Sequence, residues 1–248
     1  MCNTDLYEND LLYMISIIIP VHNEQENLKW LIPYLEGLIA NQNAEVFIAV
    51  SSRNSDNTSL ANNNPKINIL KCQGSGRAFQ MNAAAKLANG TILAFLHADV
   101  KPPTTFITDI ENTISNNYEA GFFSYQFDKQ SFMLRVNASF TAKDGIFTGG
   151  GDQCLFIKKD VFHSLGGFNE AQVIMEDFEL FKRMKKKNIR YTIVKNNLIV
   201  SARKYEINSY LRVNVSNLIL VILFNCGYPA PKLKSLHNKL LKLPYSTM

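Results

Sequence analysis

The chain has 248 residues, of which 46% are apolar and 19% charged, enough to bury one large α/β core or two small ones. A net charge of +5 is too small to indicate nucleic-acid binding, and we expect no nucleic-acid partner. The four cysteines lie far apart and indicate neither a zinc site nor a disulfide framework. Together with an N-terminus that lacks a signal-peptide pattern, they favour a reducing cytosol.

The first hundred residues alternate between strand-like and helix-like segments. Met14–Val21 is β-branched and apolar, as a strand buried on both faces of a parallel sheet is. Apolar residues at helical spacing follow over Glu26–Ala40. The alternation continues with predicted strands at Glu45–Val50, Ile67–Lys71 and Thr91–Leu96, and a helix from Gly74 to Leu87. It predicts a parallel sheet with right-handed crossovers.

The remaining segments extend this sheet and end in a helical region. We predict helices at Pro102–Ser115, Asp160–Leu165, Glu176–Lys187 and Ile207–Leu223, and strands at Ala120–Phe127, Gln153–Lys158, Arg190–Val194 and Leu198–Ser201. Nothing resembles an interdomain linker. We therefore expect an N-terminal extension (1–13), one α/β domain (14–205) with a wound, mostly parallel sheet flanked by helices, and a helical tail (206–248) packed on that domain.

The tail supports two interpretations. The favoured one is that Leu218, Val221 and Ile222 pack on the body of the domain. The other is that the apolar segment and the lysines of 232–242 dock on a membrane surface near a lipid-linked acceptor. The apolar run Leu218–Phe224 is far too short to span a bilayer, so any membrane contact is expected to be peripheral, on the inner face.

Polar residues follow the first and fourth predicted strands. In open α/β sheets, ligands bind beyond the carboxyl ends of the strands, where the strand order reverses. If the order is 3-2-1-4, Pro20–Glu24 and His97–Asp99 flank one crevice. The carboxylate of Asp99 then suits a hard divalent cation, which nucleoside diphosphates bring with them, although Asp99 would equally serve as a helix cap.

Two helix starts carry further candidate residues. Gly74–Asn82 is glycine-rich, and its backbone N–H groups and Arg77 are suited to a phosphate. It follows the third strand rather than the first, which disfavours a Rossmann dinucleotide site. Glu176 and Asp177 open a later helix, where acidic residues interact favourably with the helix dipole. The functional interpretation is that one of the two is a general base.

Taken in order, six motifs carry a family resemblance. They are Ser16–Asn27, Gly76–Gly90, Phe95–Asp99, Gly151–Gln153, Gly166–Phe168 and Glu176–Leu180. The chain resembles family 2 glycosyltransferases, which have the GT-A nucleotide-sugar fold, from about Ile15 to Pro231. More narrowly, GRA-x-QMN, FLHAD, GDQ, LGGF, MED and the late segment Ser201–Tyr205 are similar to the bacterial subgroup called selenodomain-associated or radical-SAM-associated transferase 2.

The resemblance implies a reaction and a set of site residues. It implies an inverting transfer of a sugar from a UDP- or GDP-sugar to an acceptor hydroxyl, with Mn²⁺ or Mg²⁺. Asp99 would be the metal ligand, and Asp177, or else Glu176, the base. Gly151, Asp152 and Gln153 would line the sugar or acceptor side. The residues assigned to the nucleotide-sugar are Pro20, Asn23, Glu24, Ser51, Arg77, Gln80, Asn82, His97, Ala98 and Arg203.

Two departures from the family pattern keep other functions open. His97 replaces the first carboxylate of the Asp-x-Asp metal motif, and Ser51 stands where an Asp usually contacts the base or ribose. Loss of such a charged hydrogen bond costs about 1.5–3 kcal/mol. Ser51 and Arg53 point to a non-catalytic nucleotide-sugar-binding protein. A nucleotidyltransferase, which also combines a wound sheet, metal carboxylates and a glycine-rich loop, is the enzymatic alternative.

Overall fold

The structure, a computed structural model, describes residues 13–56, 63–129, 131–145 and 147–242. The predicted N-terminal extension lies outside these ranges except for Tyr13. Within them, eight strands form one sheet: β1 (Ile15–Val21), β2 (Ala44–Val50), β3 (Ile67–Lys71), β4 (Ile92–Phe95), β5 (Val100–Lys101), β6 (Ala120–Phe127), β7 (Phe156–Lys158) and β8 (Tyr191–Val200).

Helices cover both faces of this sheet and continue past its last strand. They are α1 (Gln25–Ile39), α2 (Arg77–Leu87), α3 (Phe106–Ser115), α4 (Phe132–Ser139), α5 (Lys159–Ser164), α6 (Glu176–Lys186), α7 (Arg203–Ile207), α8 (Tyr210–Asn225) and α9 (Ala230–Leu240). Short 3₁₀ helices occur at Phe140–Ala142 and Gly151–Gln153.

The strand order is β3-β2-β1-β4-β7-β6-β8-β5, so the condition that the first four strands follow the order 3-2-1-4 is met. The four N-terminal strands pair in parallel, and every residue of β1 and β2 is buried. This explains why both strands are almost wholly apolar: helices cover the two faces of the sheet. The order reverses between β1 and β4, so their carboxyl ends bound one crevice.

The second half of the sheet is mixed, and two predicted boundaries there are wrong. β7 runs antiparallel to β4 and β6, and it begins at Phe156 rather than Gln153. The preceding residues form the 3₁₀ helix, and Cys154 adopts a left-handed φ of 48°. The two predicted strands after Arg190 are one strand, β8, because it pairs with β6 on both sides of an irregularity. At that point the Ser124 hydroxyl lies within hydrogen-bond distance of Val194 O and Asn197 Oδ1.

Two apolar layers hold the sheet in place. On one face, α1 and α3 bury leucines and Phe106 against β1, β2 and β4. On the other, α2, α5 and α6 bury Met81, Phe162 and Leu180. Close packing on both faces fixes the strand ends, and therefore the positions of the residues that follow them.

The C-terminal helices pack on the start of α6, but not with all the residues expected. Val221 is buried with Met175 and Leu233, as predicted. Leu218 and Ile222, in contrast, remain 40% and 52% exposed, so the expectation that they pack on the domain is wrong. They lie on the side of α8 turned away from this cluster. None of the helices in the described ranges is both long and apolar enough to cross a bilayer.

Candidate active site

The chain leaves β1 and β4 on the same side of the sheet and forms the crevice there. Pro20 is buried within β1, and Ala98 is buried directly after β4. His97 and Asp99 flank Ala98 and keep part of their side chains accessible. The crevice wall is therefore built from short segments anchored in the buried strands.

On one side of His97, three predicted residues come together. Asp99 Oδ2 lies 3.5 Å from Arg203 Nη2, which α7 supplies from far along the chain. Burial raises the pKa of Glu24, and the charge of Asp99 raises it further, whereas Asn27, Arg203 and His97 oppose the rise. Glu24, Asp99 and Arg203 thus form one electrostatic group, which we name the donor side.

Asn23 joins the end of β1 to the loop after β2. It has a left-handed φ of 56°, which asparagine tolerates better than most residues. Its Oδ1 accepts hydrogen bonds from the backbone N–H groups of Ser55 and Asp56, at 2.8 and 3.2 Å. Within the same loop, the buried Ser51 accepts a hydrogen bond from the N–H of Arg53. Both side chains shape the loop that borders the donor side.

His97 lies between the donor side and a second set of polar groups. Its Nδ1 is 3.4 Å from Asp152 Oδ1. Burial lowers the pKa of His97, but the hydrogen bond to Asp152 and the charges of Asp152 and Asp177 outweigh this and raise it overall. Burial raises the pKa of Asp152, but His97, Lys204 and Arg77 lower it overall.

Gly151 allows His97 and Asp177 to approach each other. A Cβ atom on Gly151 would lie 2.4 Å from His97 Cε1 and 2.6 Å from Asp177 Oδ2, far inside van der Waals contact. A side chain at this position would therefore have to displace one or both of these groups. Glycine in the GDQ segment is a packing requirement of the site.

The two acidic residues at the start of α6 have different environments. Glu176 is almost completely buried, and its Oε1 lies 2.6 Å from Nε of Arg77, at the start of α2. Asp177 is buried beside His97 and Gly151. Burial raises the pKa of Asp177 well above that of an ordinary aspartate, and the charge of Glu176 adds to the rise. The raised pKa makes Asp177 a stronger base than an ordinary aspartate, while the charge of Glu176 is compensated by Arg77.

Three predicted ligand-binding residues use their side-chain amides for hydrogen bonds to the backbone. Gln80 is buried and donates to the carbonyls of Val21 and Ala49, so it joins the ends of β1 and β2. Asn82 holds the Gly166–Phe168 turn through both backbone groups of Phe168. Gln153 accepts a hydrogen bond from the N–H of Gly149 and donates one to the carbonyl of Thr141, and it also borders a cavity beside Asp177. Their amides satisfy buried backbone groups, which sequence motifs do not distinguish from ligand contacts.

A cavity of about 600 Å³ opens beside Asp177, and His97 and Arg77 also line it. Asp177 borders it, whereas Glu176, Glu24 and Asp99 do not. Sequence reasoning missed several polar residues of its wall: Tyr125, Asn137, Lys204, Tyr205, Tyr210 and His237. The late motif containing Lys204 and Tyr205 was the one available signal, since it is polar and directly follows a strand.

The residues present can hold a divalent cation only together with a ligand. Among the residues that the structure describes, no group of three or more His, Cys, Asp or Glu side chains is arranged to bind a metal ion. Asp99 offers one hard oxygen donor, with Glu24 within electrostatic range. One or two carboxylates completed by phosphate oxygens are the usual setting for Mg²⁺. These carboxylate oxygens therefore fit a cation that arrives bound to a diphosphate.

Comparison with known proteins gives the family. The sequence profile described as Glycosyl transferase family 2 matches residues 16–164, more than half of the chain. The chain therefore belongs to glycosyl transferase family 2, and it is a glycosyltransferase with the GT-A fold. No curated protein sequence matches it significantly.

Solved structures show the same fold at low sequence identity. Mannosyltransferase PcManGT from Pyrobaculum calidifontis, in complex with GDP-Man and Mn²⁺, aligns with a TM-score of 0.61 and 15% identity over 92% of this chain and 69% of that one. S. aureus TarS 1–349 in complex with UDP-GlcNAc gives 0.60 and 14% over 92% and 71%. A Drosophila β1,4-galactosyltransferase 7 mutant with manganese, UDP-Gal and xylobiose gives 0.50 and 13% over 75% and 68%.

Proposed function

We propose that the protein is an inverting glycosyltransferase that moves a sugar from a UDP- or GDP-sugar to an acceptor hydroxyl. The observation that carries this proposal is that two groups of charged residues meet at His97. Asp99 and Arg203 form an ion pair on the donor side, and Asp177, a buried carboxylate with a raised pKa, borders the cavity. Nucleotide-sugars bound in the solved structures of this fold support the class of donor.

In the proposed reaction, Asp177 accepts the proton of the acceptor hydroxyl. The acceptor oxygen forms a bond to the anomeric carbon as the bond from that carbon to the diphosphate breaks, and the nucleoside diphosphate leaves. We assign the base to Asp177 rather than Glu176 because Asp177 borders the cavity and is not paired with Arg77. A raised pKa makes its carboxylate a stronger base.

On the donor side, Asp99 would hold Mn²⁺ or Mg²⁺ against the diphosphate, and Arg203 would add positive charge beside it. A bound cation supplies neutralisation of the charge that builds up on the leaving diphosphate. Arg77, which lines the cavity beside His97, adds further positive potential to the site. Positive groups fixed in advance at a developing negative charge are commonly the largest catalytic contribution.

Replacement of Asp177 tests the assignment of the base. We expect Asp177→Asn to lower the rate of sugar transfer about 10²–10⁴-fold, the usual contribution of a general base, while donor binding is kept. Release of nucleoside diphosphate measures the rate, and the thermal shift caused by the donor measures binding. The matched control is Asp160→Asn, an exposed aspartate at the start of α5.

Two outcomes would contradict this assignment. If Asp177→Asn keeps the full rate, the base lies elsewhere. If Glu176→Gln loses as much activity as Asp177→Asn without loss of folding, the two carboxylates act together, and the distinction drawn from the Arg77 ion pair is wrong. Release of pyrophosphate instead of nucleoside diphosphate would favour a nucleotidyltransferase.

A further inference from the structure

Exposed apolar side chains are concentrated in two segments of the chain, which contain α4 and α8. Among the described residues, eleven of the fourteen large apolar side chains classed as exposed fall within 132–147 or 207–228. Phe132 is 71% exposed and Leu211 69%. Along α4 and its C-terminal cap, the exposed residues recur at Phe132, Val136 and Phe140, so they lie along one face. Large segregated apolar surfaces of this kind mark sites of interaction.

The exposed faces of α4 and α8 belong to one surface. On α8 the exposed positions are Leu211, Val215, Leu218 and Ile222, again at helical spacing. The two helices touch through Asn137, whose Nδ2 donates to Asn214 Oδ1 at 2.9 Å. We call the surface formed by these apolar residues of α4 and α8 the apolar platform.

The apolar character of α8 exceeds what the fold uses. Its apolar residues surround the helix, but only one side packs, through Leu220 and Val221. A helix that is apolar on all sides normally has every side covered, by protein or by lipid. We therefore expect the exposed apolar side of α8 to contact a second apolar surface.

The charges around the platform are mainly positive. Residues 207–242 contain five Lys or Arg and no Asp or Glu. Arg135 on α4 and Arg212 on α8 are exposed next to platform residues. Apolar side chains flanked by lysines and arginines are the composition of surfaces that lie on anionic bilayers, where each basic residue adds about 1 kcal/mol of attraction.

The platform continues into the cavity that contains Asp177. Phe140, Val215 and Leu218 are exposed and also line the cavity wall. A surface that covers the platform would therefore also lie at the mouth of the cavity.

We propose that the apolar platform docks on an anionic lipid bilayer, with α4 and α8 lying in the plane of the interface. The cavity that holds Asp177 then opens at the bilayer surface. Positive charge around the platform selects the bilayer over a second copy of the chain, because two copies joined through this face would bring the basic residues of both together. The docking surface is independent of the assignment of Asp177 as base.

Vesicle flotation with the full chain tests the platform. We expect binding to vesicles of phosphatidylglycerol and phosphatidylcholine, and much weaker binding to phosphatidylcholine alone. The double variant Phe132→Glu/Leu211→Glu should weaken binding to the mixed vesicles by at least about tenfold, because both side chains lose apolar burial in the interface. Neither residue lines the cavity. The matched control is Leu87→Glu, a 56% exposed leucine on α2, which should leave binding unchanged.

A second variant tests the charges. Arg135→Gln/Arg212→Gln, on α4 and α8, should weaken binding to the mixed vesicles by about tenfold and leave binding to phosphatidylcholine unchanged. Light scattering in solution tests whether a second copy of the chain, rather than a bilayer, covers the platform. No vesicle binding by the native chain would overturn the proposal, and so would a dimer that Phe132→Glu/Leu211→Glu splits. A thermal shift with UDP- and GDP-sugars in the same variants reports the donor site separately, so failure of one proposal is distinguishable from failure of the other.

Discussion

At the scale of single residues, Asp177 and Glu176 show how neighbouring carboxylates acquire different chemistry. Both lie in the first turn of α6, and both are buried. Arg77 compensates the charge of Glu176, while Asp177 faces the cavity with a raised pKa. The two side chains differ because they leave the helix in different directions, not because the sequence around them differs.

The raised pKa of Asp177 predicts a pH-dependent cost in stability. A folded-state pKa above the unfolded value means that folding disfavours the ionised carboxylate. The cost is absent below the unfolded pKa of about 3.9 and fully present once the pH exceeds the folded pKa. Replacement by a neutral amide removes it. We therefore expect Asp177→Asn to raise the free energy of unfolding by about 1–2 kcal/mol near pH 8 and by little near pH 4.

Thermal unfolding with EDTA and without donor measures this effect. For a chain of this size, the gain corresponds to a rise of a few degrees in Tm, about 2–4 °C per kcal/mol. Equal Tm changes at both pH values would show that the carboxylate carries no net cost in the folded state. A lower Tm for the variant at pH 8 would show that contacts with His97 and Arg77 outweigh burial.

At the scale of elements, the 3₁₀ helix Gly151–Gln153 brings the two sides of the site together. It lies where β7 was predicted to begin, and it places Gly151 against His97 and Asp177. We expect Gly151→Ala to lower the transfer rate about 10²-fold, since displacing a catalytic group by about 1 Å has effects of that size. Nucleoside diphosphate release measures the rate.

Gly145 supplies the control for this prediction. A Cβ atom there meets nothing within 4 Å, so Gly145→Ala should keep the full rate. Circular dichroism should show both variants folded. Unchanged transfer by Gly151→Ala would mean that the close approach of His97 to Asp177 is not needed for the reaction.

At the scale of the whole molecule, parts far apart in the chain meet across His97. Glu24 and Asp99 come from the ends of β1 and β4, Arg203 from α7, and Asp177 from α6. This arrangement predicts that nucleotide-sugar binding stabilises the entire domain. A donor present at about 100 times its Kd should add about 2.7 kcal/mol to the free energy of unfolding.

A thermal-shift screen of UDP- and GDP-sugars with and without Mn²⁺ tests this expectation. The shift should be larger with Mn²⁺, and Asp99→Asn should remove the metal-dependent part while leaving a smaller metal-independent shift. An unchanged response to Mn²⁺ in Asp99→Asn would assign the metal contact to other residues. No shift with any donor would indicate that Ser51, in place of the usual aspartate, abolishes donor binding.

The sequence by itself determined the parallel half of the sheet and the family. β-branched runs alternating with helical patterns predict β1 to β4 as parallel strands, because such strands are buried on both faces. The ordered motifs indicate glycosyl transferase family 2, because each lies at a strand end or helix start. The short strand β5 and helices α4 and α7 were not predicted, since few residues of a distinct pattern define them.

Only the tertiary structure decided which motif residues face the crevice and which hold the fold. Gln80 and Asn82 lie in a glycosyltransferase motif, yet their side-chain amides form hydrogen bonds to backbone carbonyls at strand ends and in a turn. The ion pair of Arg77 with Glu176 and the apolar platform on α4 and α8 join segments distant in sequence. Residue spacing reports periodicity along one element, whereas these features depend on how separate elements meet.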